Sequence, residues 1–173
     1  MEFTSDAERW MRQALLEAQQ AADEGEVPVG CVIVSEGRII GRGHNRVEAL
    51  QDPTAHAEML ALTAAASTLG SWRLEGAEVY ATVEPCLMCV GALQLARVAT
   101  IYFGPSEPKF GACGSIIDAP AFPGWNHRMR VVGGILAEES ACLLRAFFKE
   151  RRTDRRAVES GGSPQEQDPL DTT

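Results

Sequence analysis

His56 and Glu58 stand two residues apart in "TAHAE", and Cys86 and Cys89 stand three apart in "EPCLMC", thirty residues beyond His56. With three histidines and five cysteines in 173 residues, chance is a poor explanation for a histidine, a carboxylate and two thiols in two short clusters. CxxC alone has several readings: a redox pair, half of a zinc site, or two thiols that happen to share a helix face. In the first turn of a helix, a spacing of three turns both sulfurs to one side. The helix N-terminus there favours thiolate, the form that binds a metal. Zinc suits these ligands best, with His56 as the third. A closed structural site needs a fourth Cys or His, usually paired, and Cys31, Cys113 and Cys142 belong to no second pair. Three protein ligands leave one position for water, the pattern of a catalytic centre. In a regular helix Glu58 would point about half a turn away from His56. It lies beside the metal only if the site sits at the helix tip, where it would hydrogen-bond the water and carry its proton. The plainer alternative is an acid that stabilises a helix N-terminus.

The elements that must position these residues can be read from periodicity. From Ser5, a candidate N-cap, the residues Trp10, Ala14, Leu15, Ala18 and Ala22 give an amphipathic helix that Gly25 ends. "VPVGCVIVSEGRIIGRG" reads as a hairpin turning at Glu36 and Gly37. "HNRVEALQDPTA" is expected to be a loop, followed by a helix from about Ala55 to Thr68. "AEVYATV" is a strand, "CLMCVGALQLA" a helix, "ATIYFG" a strand and "MRVVGG" a short last strand. "ILAEESACLLRAFFKERR" is a helix with Ala137, Ala141, Leu144 and Phe148 on one face. After the hairpin, strands and helices alternate, which predicts an α/β fold: a mixed, partly parallel sheet of about five strands with helices on both faces. Beyond Arg152 large apolar side chains almost vanish, so 1–152 is expected to be the domain and 153–173 a disordered polar tail.

Hydrophobic residues make up 45% and charged residues 23%, the composition of a globular chain. The net charge is −8, and without residues 153–173 there remain fourteen basic against nineteen acidic residues, so a generally cationic surface is excluded. Lys149, Arg151, Arg152, Arg128 and Arg130 are candidates for a local basic rim, although a basic helix end also serves simply to complement the dipole. No apolar run reaches the roughly 18 residues of a membrane span, and "MEFTSDAERW" is acidic and polar where a signal peptide is basic and then apolar. No membrane association and a cytoplasmic location are therefore expected. An odd cysteine count in a reducing compartment suits metal ligands or buried thiols better than disulfides.

HxE together with PCxxC is the signature of zinc-dependent nucleobase deaminases, and "HAE" and "PCLMC" fit it. "EVPVG", "GHNR", "DPTAHAEMLAL", "TVEPCLMCVGAL", "GACGS", "PGWNHR" and "GGILAEESACLLRAFF" further resemble the bacterial tRNA-specific adenosine deaminase family, over nearly all of residues 5–152. The resemblance implies a three-layer α/β/α sandwich of the cytidine-deaminase type, a homodimer, and conversion of adenosine to inosine at the wobble position of an arginine tRNA. It implies one zinc per subunit held by His56, Cys86 and Cys89, with Glu58 as proton shuttle. Asn45 would hydrogen-bond a flipped base, and Pro28 and Val29 would wall its pocket. Glu107 and Lys109 stand in "GPSEPKFG" where the family has an aspartate and, two residues on, a lysine, so that the longer acid would reach the same sugar contact. His127 and Arg128 would meet the RNA, whose anticodon loop splays its bases out at low cost. Trp125 is a candidate either for stacking on a base or for packing, and Phe110 replaces a smaller residue of the family. Two rival functions share the motifs: deamination of a free base or nucleotide such as guanine or cytosine, and a zinc-stabilised binding module without catalysis.

Overall fold

The structure, a computed structural model, describes residues 6–161, with side chains up to residue 154. Ser5, the expected cap of the first helix, and residues 162–173 lie outside the described residues. In chain order the elements are α1 (Asp6–Asp23), β1 (Gly30–Ser35), β2 (Arg38–His44), α2 (Val47–Leu50), α3 (Ala57–Leu69), β3 (Glu78–Ala81), α4 (Leu87–Ala96), β4 (Thr100–Phe103), β5 (Arg130–Val132) and α5 (Ala137–Gly161). The five strands form one sheet in the order β2-β1-β3-β4-β5. β1 pairs antiparallel with β2 and β3, and β3, β4 and β5 run parallel. The β1–β2 turn places Glu36 at φ 49° and Gly37 at φ 69°, the two left-handed positions of a type I′ hairpin.

Alternation along the strands sorts the core into two faces. Cys31 and Ile33 of β1, Val79 of β3 and Ile101 and Phe103 of β4 join Ala57, Ala61 and Ala65 of α3 and Val90 and Leu93 of α4. Val32, Val34 and Tyr80 point to the other face, against Trp10, Met11 and Ala14 of α1, with Ile135 and Leu136 before α5. The layers are thus α1 and α5, the sheet, then α3 and α4, the expected sandwich.

Small residues set the distance between α3 and the sheet. A Cβ at Gly41 would stand 2.3 Å from Ala61 O, and one at Gly43 would stand 2.5 Å from Ala57 O. The backbone of α3 therefore rests on the backbone of β2, and the start of α3 is held where His56 precedes it.

Five expectations change in detail. The loop after β2 contains the short helix α2, and α3 begins at Ala57 rather than Ala55. The buried side of α1 carries Trp10, Met11, Ala14, Glu17, Ala18 and Ala21, a stripe that takes Met11 and Ala21 in place of Leu15 and Ala22. On α5, Ser140 and Phe147 are buried while Phe148 is 44% exposed, so the inward face is turned by about one residue. Lastly, α5 continues through residues 153–161, which composition assigns to the tail. "TDRRAVES" contains neither Gly nor Pro, so no strong breaker interrupts the helix before "GGSP".

Candidate active site

His56 and Cys86 are the N-cap residues of α3 and α4, with extended backbone (φ −73°, ψ 153° and φ −76°, ψ 171°). Neither side chain caps its own helix, so both are free to turn towards a common point. Cys89, one turn into α4, is fully buried on the same side. Because His56 lies outside the helix, the half-turn separation from Glu58 expected for a regular helix does not apply. Glu58, on the first turn of α3, is 4% exposed and lies on the floor of the cavity with His56 and Cys86.

The three donor atoms form a nearly equilateral triangle. Cys86 Sγ and Cys89 Sγ are 3.7 Å apart, and each lies 3.6 Å from His56 Nδ1. Tetrahedral zinc, at about 2.3 Å from sulfur and about 2.0–2.1 Å from nitrogen, requires sulfurs about 3.8 Å apart and sulfur–nitrogen separations of about 3.6 Å. The triangle fits the ion, and among the described residues it is the one cluster of three or more such ligands. Without a metal, the electrostatics divide the two sulfurs. Cys86 is drawn down to about 4, first by the Cys89 thiol that donates to it, against the opposing effect of burial, and then by His56. Cys89 is pushed up by donating to Cys86 and by burial. Burial also raises the Glu58 carboxyl, with His56 opposing that shift.

The cavity above the triangle has a volume of about 500 Å³, within the usual range for small-molecule sites. Val27, Val29, Val47 and Val83 give it apolar walls, and Asn45, Glu107, Phe110 and Arg151 stand at its sides. Arg151 reaches it from α5, where its guanidinium lies over the Phe147 ring and donates to Gly25 O at 2.9 Å.

Two buried carboxylates to which the sequence reading gives no role hold the cavity's edges. Glu26, 2% exposed, accepts from Asn45 Nδ2 (3.2 Å), Glu48 N (3.3 Å) and Ala49 N (2.7 Å). Glu84, 4% exposed, accepts from the backbone N–H groups of Glu107 (2.9 Å), Cys113 (2.8 Å) and Ser115 (3.1 Å) and from the Ser115 hydroxyl. Burial pushes Glu84 up, but these four donors outweigh it and hold the carboxyl below the ordinary glutamate value. Gly111 lies so close that a Cβ there would meet Glu84 Oε2 at 2.4 Å. Their sequence signal is an acid set in an otherwise apolar run, in "GEVPVG" and "TVEPC".

The structure thus brings His56, Glu58, Cys86, Val29, Asn45 and Glu107 to one cavity, with Cys89 buried against Cys86. It does not bring four other expected residues there. Pro28 is buried outside the lining, where Val27 takes its place beside Val29. Lys109 is exposed and off the cavity, and its backbone N–H donates to Glu107 Oε1 at 2.9 Å, which turns that carboxylate back onto its own loop. His127 sits at the far end of α4 from Cys86: its carbonyl accepts from Gln94 and its Nε2 lies 2.7 Å from Val98 O. Arg128 donates to Phe122 O. Trp125 donates to Ala119 O and meets the Phe122 ring edge-on, so its role within the chain is packing.

Known proteins share this architecture. Residues 4–105 match the family model of the cytidine and deoxycytidylate deaminase zinc-binding region. A tRNA-specific adenosine deaminase of Bacillus subtilis (strain 168) is 46% identical over 151 residues, covering 87% of this chain and 94% of the relative. A solved structure from a study of A-to-I editing by tRNA:A34 deaminases at the wobble position of transfer RNA superposes with a TM-score of 0.76 at 42% identity, covering 79% of this chain and 99% of the other. A guanine deaminase from Nitrosomonas europaea shares the fold at TM-score 0.69 and 26% identity, covering 84% of this chain and 86% of that one. The chain belongs to the cytidine and deoxycytidylate deaminase zinc-binding family and, within it, to the relatives named tRNA-specific adenosine deaminases.

Proposed function

We propose that the protein deaminates adenosine to inosine at the wobble position of a tRNA, an arginine tRNA in the first instance, with one zinc per subunit. The observation that carries this reading is the zinc-sized triangle of His56, Cys86 and Cys89 with a buried carboxyl, Glu58, beside it on the cavity floor. The tRNA is assigned from the relatives, since 46% identity extends over nearly the whole chain, against 26% for the guanine deaminase.

His56, Cys86 and Cys89 would hold a zinc ion, which would supply Lewis acidity enough to bring the pKa of water to about 7. Glu58 takes a proton from water as the oxygen adds to C6 of adenine. It delivers that proton to the ring nitrogen N1, then takes the proton of the new C6 hydroxyl and passes it to the amino group, which leaves as ammonia as the carbonyl forms. Burial keeps Glu58 away from bulk solvent, so the proton stays between water and substrate. Asn45 hydrogen-bonds the base, Val29 packs on its face, and Glu107, with one oxygen taken by Lys109 N, offers its remaining lone pairs to a sugar hydroxyl. Arg151 is the single arginine of the cavity's lining, among five glutamates and no lysine, and the natural partner for a phosphate at the mouth. An anticodon loop meets this arrangement because its bases leave the stack at low cost.

The homodimer is proposed on surface chemistry. Leu87, Ile117 and Phe122, which are 57, 49 and 58% exposed, line an apolar depression beside the start of α4, and such a patch needs a cover. No helix among the described residues is long and apolar enough to cross a membrane. A cytoplasmic location is proposed from the tRNA substrate. The test is to incubate the purified protein with an arginine tRNA and, separately, with guanine, cytosine and adenosine. Inosine in the RNA and no turnover of the free bases supports the reading. Turnover of a free base with no inosine in the RNA would replace it by the rival substrate.

A further inference from the structure

Asn45 lines the cavity, yet an amide side chain can present either of two faces, related by a half-turn of its last torsion. Only its partners decide which one. Its partner here is Glu26, a carboxylate that can only accept. Glu26 is itself held by two backbone donors, Ala49 N at 2.7 Å and Glu48 N at 3.3 Å, and is 2% exposed, so it has little freedom to turn. The Asn45 backbone is also fixed, its N–H donating to Val29 O at 2.9 Å. One N–H of the Asn45 amide is thereby committed to Glu26. The carbonyl oxygen and the second N–H are left for the cavity in a set order, a donor and an acceptor side by side, which complements the amino and ring-nitrogen edge of an adenine.

We propose that Glu26 is a positioning residue that sets the donor and acceptor order of the Asn45 amide, and with it the base edge that the cavity reads. This rests on the proposed function, in which Asn45 hydrogen-bonds the base. The chemistry makes a sharp forecast for Glu26→Gln, which alters one atom. The amide oxygen of Gln takes the position opposite Ala49 N, the shorter contact at 2.7 Å, and the weaker 3.3 Å contact from Glu48 N to the other oxygen is given up. Its Nε2 then faces Asn45, which must flip to offer Oδ1, and the cavity receives the order reversed.

The test is a double-mutant cycle on tRNA deamination with Glu26→Gln, Asn45→Ala and the pair, in zinc-loaded full-length protein, with Tm and zinc per chain measured throughout. Glu26→Gln is expected to lower kcat/KM about ten- to a hundredfold, the range of one bidentate base contact, with zinc retained. In the Asn45→Ala background the same change is expected to cost nothing further. Additive losses, or an activity loss that merely follows Tm, would overturn the proposal, because a role limited to holding α2 predicts both. Should Glu26→Gln unfold the chain, Glu26→Gln with Asn45→Asp restores one acid and one amide to the pair: recovered Tm without activity supports the inference, and recovered wild-type activity overturns it. Independent of turnover, the side-chain amide NMR resonances of Asn45 should move in Glu26→Gln, and unmoved resonances overturn the inference. Wild-type activity in Asn45→Ala would instead defeat the base-contact reading of Asn45, while the NMR result still decides what Glu26 does.

Discussion

On its metal-binding side the cavity is built from two helix tips resting on the sheet, whereas on its substrate side it is built from loops gathered around two buried carboxylates. His56 and Cys86 owe their positions to backbone packing: α3 lies on Gly41 and Gly43 of β2, and the segment into α4 is braced where Gly30 N donates to Thr82 Oγ1 at 3.0 Å and Ser140 Oγ donates to Thr82 O. Asn45, Glu107 and Phe110 owe theirs to Glu26 and Glu84, whose oxygens collect donors from segments up to 31 residues away. The first arrangement tolerates almost no volume change but asks little of side-chain chemistry. The second asks for one functional group in one place.

The sharpest way to break the metal side is to remove a ligand. Cys89→Ser is expected to abolish zinc binding and activity together and to lower Tm, since the metal's contribution to folding goes with it. Elemental analysis, an inosine assay and a thermal melt on the same sample check this, and activity with no bound metal would contradict it. Next in size is Gly43→Ala, whose methyl would stand 2.5 Å from Ala57 O. Forcing α3 away from the sheet should cost about 1–3 kcal/mol and displace His56, reducing zinc affinity as well. Gly91→Ala on α4 is the control: nothing lies within 4 Å of the new methyl, so it should be neutral or stabilising by about 0.5–1 kcal/mol.

The substrate side should fail differently. Glu84→Gln leaves backbone donors of the 107–115 loop unmatched, at about 1–3 kcal/mol for a buried one. Zinc should remain bound, with KM for the tRNA raised more than kcat is lowered. The Glu84 carboxyl is held below the ordinary glutamate value of 4.5 in the fold, so its stabilisation is present above that pH and is lost as pH falls through the lower folded value. The stability gap between wild type and Glu84→Gln should therefore close below pH 4.5, as thermal melts across pH would show. The smallest effect is expected for Arg151→Ala: a few-fold rise in KM with kcat unchanged. The slope of log affinity against log salt should also become shallower by about 0.7 for the single phosphate that is no longer neutralised.

Legibility in the sequence follows the same division. His56, Cys86, Cys89 and Glu58 are legible because ligand identity and short spacing are local properties. The hairpin at Glu36 and Gly37 and the alternation of strands and helices are legible for the same reason. Glu26 and Glu84 are not, because an acid's role here is decided by donors distant in sequence. Lys109, His127 and Arg128 carry suitable chemistry, yet Lys109 is exposed off the cavity between Glu107 and Phe110, which line it, and His127 and Arg128 bond to Val98 O and Phe122 O elsewhere, so charge alone does not reveal where a side chain ends. The end of α5 escapes composition too. Composition reports what a segment can bury, while α5 continues past Arg152 through a stretch that holds no strong breaker before Gly161.

The proposed function turns on Glu58 as the group that moves the proton at a zinc-supported site acting on tRNA adenosine. This is tested most directly by digesting an arginine tRNA to nucleosides after incubation with wild type or Glu58→Gln and quantifying inosine by mass spectrometry, with zinc measured in both proteins. The expected result is wobble inosine with the wild type, and a loss of about 10²–10⁴-fold in Glu58→Gln at equal zinc content and equal Tm. Inosine formed at the wild-type rate by zinc-loaded Glu58→Gln would contradict the account.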